Sequence, residues 1–402
     1  MINILLLVGV ILALGYIVGR GTHALKITGV VGYIIVGVIL GSSIFGIVNV
    51  LGISEEAFST LWGITTDFTL ALIAFIIGSQ LTLRLMRNLG KPILAMIFGE
   101  SFGAFFLVLL GVYLITQNLP LALLLASLAP ASAPAGTVAV LHEYRAKGPL
   151  TDAILAVIGW DDALAIVIFV VAISIIKAML GGGISLFSAV AYPIVEIFGG
   201  LALGAAIGGA LAFAVKKVRE RESILVISFA AILIGAGVAE FLGFSLILTC
   251  MAIGIVLINI LPTMGGTSRG LIENIMPPIY VIFFALAGMQ LRFDLLITMG
   301  LLGLIYIVCR TAGLIGGASI SAKAARAPTI FQKYLGFGIL SQAGVAIGLA
   351  ALAGSMLAGY PGGVDLGLKA ITLIMATTIV FEIIGPIGAR FAIIRAREAR
   401  RK

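Results

Sequence analysis

Apolar runs long enough to cross a lipid bilayer follow one another along almost the whole length of this 402-residue chain. A helix that crosses the hydrocarbon core needs about 20 apolar residues, and the breaks between these runs are short and rich in glycine, proline or charge. Only 10% of the residues are charged, whereas soluble domains carry about 25%. The sequence therefore predicts an all-α polytopic protein surrounded by membrane lipid, with a single transmembrane domain over residues 1–402.

The boundaries of the apolar runs predict thirteen transmembrane helices. These cover about residues 2–20, 28–46, 59–82, 92–116, 119–142, 149–177, 185–216, 223–241, 244–262, 275–291, 296–320, 329–355 and 365–392. Most of the 25 basic residues fall into alternate connections and into the C-terminal tail, as the positive-inside rule requires of the cytoplasmic side. We therefore expect a multi-pass protein of the plasma (inner) membrane, with its N-terminus outside and its C-terminus in the cytoplasm. The same distribution explains the net charge of +8 without a nucleic-acid partner.

The odd number of predicted helices indicates an internal symmetry. The first six and the last six helices are offset by seven positions, so equivalent helices run in opposite directions, as in an inverted repeat. The helix at about 185–216 would link the two six-helix units. Repeats of this kind place broken helices and the transport site near the middle of the membrane.

Small and polar residues interrupt the fifth and the twelfth predicted helices. The fifth contains Pro130 and Pro134. An internal proline costs a helix about 3 kcal/mol, so a break is the favoured interpretation there. The twelfth contains Ser341-Gln342-Ala343-Gly344 but no proline, so a break and a continuous helix packed closely through small residues are both open. A break would free carbonyl groups and helix ends to face an ion at mid-membrane, where the two helices would cross.

Asp161 and Asp162 are adjacent carboxylates inside the apolar run 150–176. Asp161 lies roughly 17 Å along this run, close to the middle of a hydrocarbon core ~30 Å thick. An ionised aspartate at that depth costs about 2.5–3.5 kcal/mol, and two adjacent ionised carboxylates repel each other. We interpret the pair as a site that binds and releases cations and protons. The alternative is a structural carboxylate that is paired with a basic residue or with backbone groups.

Arg310 lies in the middle of the eleventh predicted helix. Because a guanidinium keeps its proton, it needs a carboxylate, a helix C-terminus or water as its partner. The expected partners are Asp161 or Asp162 and, as an alternative, Glu382 in the last helix. Glu100, in the fourth helix, is a further buried carboxylate that we expect behind the site.

Motifs of several enzyme classes are missing from the sequence. It contains no His-x-x-x-His zinc pair and no phosphate-binding P-loop. The Gly-x-Gly-Asp signature of intramembrane aspartyl proteases is also missing. Adjacent aspartates on one helix point about 100° apart, which disfavours a shared-proton dyad. The sequence therefore predicts a protein that is not an enzyme and that uses no cofactor.

These features together resemble the monovalent cation:proton antiporter superfamily and, within it, the NapA/Kef-like branch with an Asp-Asp pair. The segments that carry the resemblance over nearly the whole chain are Ser132-Ala133-Pro134, Asp161-Asp162 with the following Ala-Leu-Ala-Ile, residues 283–289 (Phe-Phe-Ala-Leu-Ala-Gly-Met), Arg310 and Gln342-Ala343-Gly344. The resemblance implies an NhaA/NapA-like fold with inverted repeats, which assembles as a homodimer. Core helices would lie at about 92–177 and 296–392, and panel helices at about 1–82 and 223–291.

The resemblance also implies a site where the broken helices cross. Ser132, Thr137 and Gln342 would supply ligands from the crossing helices to a Na⁺ (or K⁺) ion at Asp162, and Arg310 would be the ion-pair partner. The predicted activity is exchange of protons for monovalent cations, namely Na⁺ or alternatively K⁺ or Li⁺, by alternating access. A transporter of organic anions with the same fold and a Kef-like cation efflux channel are the alternatives.

Overall fold

The computed structural model describes residues 4–24, 29–41, 54–181, 186–218, 220–290 and 299–399. In these ranges the protein is helical and contains no β-strand. Its first eight helices there are α1 (Ile4–Ala24), α2 (Gly29–Leu40), α3 (Glu55–Gly78), α4 (Leu83–Thr116), α5 (Leu119–Leu128), α6 (Pro134–Glu143), α7 (Pro149–Ile158) and α8 (Asp161–Leu180). The others are α9 (Leu186–Lys216), α10 (Arg221–Leu242), α11 (Leu246–Ile260), α12 (Pro262–Met289), α13 (Gly300–Ala324), α14 (Thr329–Gly338), α15 (Gly344–Leu357) and α16 (Gly363–Arg395).

The helical content confirms the predicted fold class of an all-α membrane protein. In the ranges given above, nine helical stretches are long and apolar enough to cross a membrane. Shorter apolar helices are Gly29–Leu40, Leu119–Leu128, Leu246–Ile260 and Gly344–Leu357. Because some of these are parts of interrupted helices, the total of thirteen crossings stays a prediction.

The largest difference in helix boundaries concerns the tenth predicted helix. It was expected at about 275–291, but α12 already begins at Pro262. Residues 263–274 are rich in glycine, threonine and charge, which is also typical of a connection. Proline is favourable in the first turn of a helix, because the missing N–H would have no intrahelical partner there. The predicted helix limits at 2, 28, 46, 185, 291 and 296 lie outside the described residues.

The helices form two sets that pack mainly within themselves. The first set consists of α1, α2, α3, α10, α11 and α12, and the second of α4 to α8 with α13 to α16. Helix α9 packs against α10 and α11 of the first set and against α8 of the second. The sets also meet where α3 contacts α15. A division of the chain into a fixed panel and a moving core stays a prediction.

Glycines allow α4 and α13 to approach each other closely inside the second set. Gly103 of α4 lies against Gly313 and Gly317 of α13. A methyl group added at position 317 would meet the backbone of Gly99 on α4. Both helices thus show the small-xxx-small spacing that lets membrane helices pack backbone to backbone. Glu100 is completely buried beside this contact.

Candidate functional site

Two interrupted helices cross each other inside the second set. α5 and α6 are separated by the non-helical residues 129–133, which confirms the predicted break in the fifth helix. α14 and α15 are separated by residues 339–343, so the twelfth helix is broken as well. Backbone groups at such breaks have no partner within a helix and need one elsewhere.

The residues around the breaks explain why the chain can be interrupted there. Pro134 is the first residue of α6, where its fixed φ suits a helix and its missing N–H costs little. The internal penalty that the sequence suggested is therefore avoided. Gly385 of α16 passes so close to the second break that a side chain there would meet Ser341.

Hydrogen bonds join the two breaks directly. The amide of Ala133 donates to the carbonyl oxygen of Ser341 at 3.0 Å. The hydroxyl of Thr137 donates to the carbonyl oxygen of Gly338 at 3.0 Å. The crossing is therefore a bonded unit rather than a simple contact between two helices.

Arg310 of α13 holds the two breaks together. Its side chain is completely buried. The guanidinium donates to the carbonyl oxygens of Ala129 (2.8 Å), Leu340 (2.8 Å), Ala131 (3.0 Å) and Ser341 (3.4 Å). These carbonyls follow the C-terminal ends of α5 and α14, where the helix dipole places partial negative charge. One cation therefore serves both helix ends.

This arrangement differs from the ion pair that we expected between Arg310 and an aspartate. Among the described residues, no nitrogen of Arg310 lies within the 4.0 Å ion-pair distance of Asp161 or Asp162. Glu382, the alternative partner, is on α16 and only 3% exposed. Its neighbour Phe381 has its ring centroid 4.3 Å from the guanidinium carbon of Arg310. The carbonyl groups freed by two broken helices supply acceptors that we had assigned to the aspartates.

Asp161 and Asp162 lie at a third break, which the sequence analysis did not predict. The run expected to form one helix at 149–177 is divided into α7 and α8 by Gly159 and Trp160, and Asp161 is the first residue of α8. Both aspartates therefore lie at a helix N-terminus, where partial positive charge favours a carboxylate. The low helix propensity of Gly159 was the available signal for this break.

The two carboxylates have different surroundings. Asp161 is completely buried, its Oδ2 accepts a hydrogen bond from the hydroxyl of Ser132, and its Oδ1 accepts one from the amide of Asp162 at 2.8 Å. Asp162 is 7% exposed. Its Oδ1 is buried and has no hydrogen-bond partner within the described part of the chain. Both carboxylates thus interact with Ser132 of the first break, and Asp162 in addition has an oxygen available to a ligand.

Gln342 connects the second break to α5 and to a tyrosine. Its Nε2 donates to the carbonyl oxygen of Leu128 at 3.0 Å and to the hydroxyl of Tyr306 at 2.9 Å. Its Oε1 accepts no hydrogen bond from the residues that the structure describes. Tyr306 was not singled out from the sequence. It precedes Arg310 by four residues, so one face of α13 carries both side chains, and this spacing could have indicated it.

Glu100 of α4 lies within electrostatic range of Arg310, Asp161 and Asp162. It is completely buried, and the hydroxyl of Ser101 donates to its Oε1 at 2.7 Å. Its Oε2 has no hydrogen-bond partner in the described ranges. Glu100 is therefore a buried carboxylate that the hydrogen bonds of the crossing do not include.

The atoms at the crossing that could coordinate a cation are oxygens of carboxylate, hydroxyl, amide and carbonyl groups, which suit a hard cation. Among the described residues there is no group of three or more His, Cys, Asp and Glu side chains that could hold a metal ion together. A Gly-x-Ser-x-Gly match at residues 266–270 lies within α12, where Ser268 donates a hydrogen bond to Ser228 at 2.7 Å. A nucleophile elbow would instead need a turn from a strand to a helix.

Comparisons with known proteins identify a family and a fold. Residues 9–389 match the family model described as "Sodium/hydrogen exchanger, transmembrane". A structure of the sodium proton antiporter MjNhaP1 from Methanocaldococcus jannaschii at pH 8 is 16% identical, covers 96% of this chain and 97% of that chain, and has a TM-score of 0.76. A second MjNhaP1 structure, described as a 3D EM map, is 15% identical, covers 100% of both chains and has a TM-score of 0.75. No curated protein matches the chain. The fold is that of these antiporters.

Proposed function

Because the chain belongs to the sodium/hydrogen exchanger family, whose members are membrane transporters and not enzymes, we propose that it exchanges protons for Na⁺ by alternating access at Asp161 and Asp162. The observation that carries this proposal is Oδ1 of Asp162, which is buried beside the crossing and accepts no hydrogen bond among the described residues. A buried carboxylate oxygen of this kind gains a partner when it binds either a cation or a proton.

The proposed exchange is a competition at Asp162. A proton from outside neutralises the carboxylate, and Na⁺ from the cytoplasmic side displaces that proton, so one proton leaves for each cation bound at this group. An ionised and empty Asp162 would cost about 2.5–3.5 kcal/mol in the middle of a bilayer. The core helices should therefore move readily between the two sides of the membrane only when a proton or a cation compensates this charge. This requirement couples the proton flux to the cation flux.

The ligands proposed for the dehydrated ion come from the two crossing helices. Ser132 already contacts Asp161 by donating its hydroxyl, and its oxygen keeps lone pairs that could bind a cation. The further candidates are Oε1 of Gln342, which accepts no hydrogen bond from the described residues, and the hydroxyl of Thr137. Arg310 would act by holding the breaks in place through their carbonyl groups. We no longer assign it to an ion pair with Asp161.

The decisive experiment measures Na⁺-dependent proton flux in reconstituted liposomes. Asp162→Asn should abolish the flux, because the amide neither titrates nor balances the charge of a cation. Asp161→Asn should alter the coupling ratio or the stability more than it removes transport. Asp365→Asn is the matched control, since Asp365 is an exposed aspartate in the first turn of α16 and its loss should leave the flux unchanged. Robust exchange by Asp162→Asn would refute the proposal.

Two other transport functions compete with this proposal. An organic-anion carrier would want an available basic group, but the guanidinium of Arg310 is engaged by carbonyl oxygens. Uptake of a labelled carboxylate would favour that function. A cation channel would give flux that does not saturate at the low rates of an alternating carrier. The same liposomes, tested with Na⁺, K⁺ and Li⁺ in turn, measure both saturation and ion preference.

The topology and the assembly are part of the proposal. We propose a homodimer with inverted repeats, an outside N-terminus and a cytoplasmic C-terminus. Cysteines introduced singly at the exposed positions Asp152 and Asp365 should then react with an impermeant maleimide from opposite sides of the membrane. Labelling of both from one side would reject this topology. The mass of the detergent-solubilised protein, measured by light scattering, tests the dimer.

A further inference from the structure

Glu398, which follows the end of α16, is a carboxylate buried far from the crossing. Its side chain is 7% exposed. Oε1 accepts a hydrogen bond from the amide of Leu150 at 2.8 Å, and Oε2 accepts two from Thr151, from its amide and its hydroxyl, both at 2.7 Å. The backbone carbonyl of Glu398 accepts a further bond from the amide of Lys147 at 3.1 Å. The C-terminal segment is therefore fastened to the beginning of α7.

These bonds supply the N-terminal cap that α7 lacks. Gly148 occupies the N-cap position and has no side chain to accept the first amide groups of the helix. Its φ of 157° is accessible to glycine. A Cβ atom at this position would collide with the carboxyl group of Glu398. Gly148 and Glu398 are thus complementary, and the acidic side chain also suits the positive end of the helix dipole.

A tight turn after α16 directs Glu398 towards α7. Arg397 has a φ of 59°, and the amide of Glu398 donates to the carbonyl oxygen of Ile393 at 2.9 Å, as at other helix ends with a left-handed residue. Further back on α16, Arg390 lies over the ring of Tyr144, which precedes α7, at 5.6 Å from its centroid. The end of α16 therefore contacts the segment before α7 as well as its first turn.

Helix α7 connects this contact to the candidate site. It has ten residues, which makes it about 15 Å long, and it ends shortly before Asp161. In its middle, Ile154 fills the space that a side chain at Gly338 would need. The carbonyl oxygen of Gly338 accepts the hydrogen bond of Thr137. A displacement of α7 would therefore move the aspartates and the end of α14 together.

We propose that Glu398 is a positioning residue for cation binding, which holds α7 and thereby the aspartates and the crossing in the geometry that binds the ion. The inference rests on the proposed Na⁺/H⁺ exchange and adds to it a residue at the far end of α7. Loss of the cap lets α7 shift and lowers the affinity for the cation. With the cation bound, the core helices still move between the two sides of the membrane, because no residue that binds the cation or the proton has been removed.

The test compares the Na⁺ dependence of proton flux for wild type and Glu398→Gln in liposomes. We expect the apparent KM for Na⁺ to rise roughly 2- to 30-fold, the range that corresponds to the loss of a helix cap, with the maximal rate retained. Thr151→Val, which removes only the hydroxyl bond, should raise KM in the same direction by a smaller factor. Proton release from the purified protein on addition of Na⁺ gives the affinity independently of turnover.

Glu222→Gln is the matched control, because Glu222 lies in the first turn of α10 and is exposed. Its KM should equal that of wild type. An unchanged KM in Glu398→Gln and Thr151→Val, accompanied only by lower thermal stability, would mean a purely structural role and would overturn the inference. If Glu398→Gln does not fold, Thr151→Val decides. Lack of Na⁺-driven flux in the wild type would instead reject the proposed exchange, and Na⁺-induced proton release would still compare the variants.

Discussion

Arg310 and Glu398 are both buried charged side chains, and both contact backbone groups at helix ends of the second set. Arg310 donates to carbonyl oxygens that follow α5 and α14. Glu398 accepts from amide groups that begin α7. Each side chain complements the partial charge of its helix end, negative at a C-terminus and positive at an N-terminus. Buried charge in this protein is thus compensated by the backbone as well as by opposite charge.

The two regions differ in their distance from water, and this difference separates their effects. Arg310 is 0% exposed, so its loss would leave the freed carbonyl groups without donors. Each buried polar group left unsatisfied costs about 1–3 kcal/mol. Glu398 lies at the end of its helices and is 7% exposed, so water can reach the amide groups if it is removed. Removal of Arg310 should therefore mainly lower the free energy of unfolding, whereas removal of Glu398 should mainly shift the position of α7.

The strongest test of this comparison removes the charge at the crossing. Arg310→Met should lower the free energy of unfolding by about 3–5 kcal/mol, because it leaves several buried carbonyl groups unpaired. Thermal unfolding of the purified protein measures the change. Arg221→Met, at an exposed arginine in the first turn of α10, should leave the Tm unchanged. If Arg310→Met has the same Tm as the wild type, the carbonyl groups must find other hydrogen-bond partners.

A smaller effect is expected when α13 is moved without touching its arginine. Gly317→Ala would bring a methyl group against the backbone of Gly99, and overpacking of this kind costs about 1–3 kcal/mol. It would also shift Arg310 relative to its carbonyl partners. The neighbouring Gly316→Ala meets nothing within 4 Å and should be neutral or slightly stabilising, since alanine favours a helix. Equal Tm values for the two variants would argue against the close approach of α4 and α13.

The next prediction concerns the fastening of Asp161 to the first break. Ser132→Ala removes the hydroxyl that donates to Asp161, and the free energy of Na⁺ binding should weaken by about 1 kcal/mol. The apparent KM for Na⁺ should therefore rise roughly fivefold, with little change in Tm. Ser127→Ala is the control, because Ser127 donates only to the carbonyl oxygen of Leu124 within α5. The same KM in both variants would separate Ser132 from the site.

The smallest effect is expected at the turn that directs Glu398 towards α7. Arg397 has a φ of 59°, a conformation that glycine adopts without strain. Arg397→Gly should therefore raise the free energy of unfolding by about 0.5 kcal/mol and preserve the contact of Glu398 with α7. Arg395→Gly, two residues earlier at the last position of α16, should have the opposite sign, because glycine is unfavourable in a helix. Destabilisation by Arg397→Gly would show that its side chain matters more than its backbone.

The sequence by itself determined the fold class and the main candidate residues of the site. Long apolar runs with few charges favour insertion into a membrane, where a helix satisfies the backbone hydrogen bonds within each segment. Pro134 indicated the first break because proline acts on its own backbone. Asp161, Asp162 and Arg310 could be recognised because charge in an apolar run is unfavourable wherever the chain folds. These signals are local, so they can be read without knowing the neighbours.

Only the tertiary structure decided the partners. Arg310 contacts Ala129, which is separated from it by 181 positions, and Glu398 caps Leu150 across 248 positions. The break before Asp161 follows Gly159 and Trp160, and a single weak helix former such as Gly159 was too weak a signal to predict it. Helix ends have no residue type of their own and every residue carries the same carbonyl and amide groups. Which of them a buried charge meets is therefore settled only when distant helices pack together.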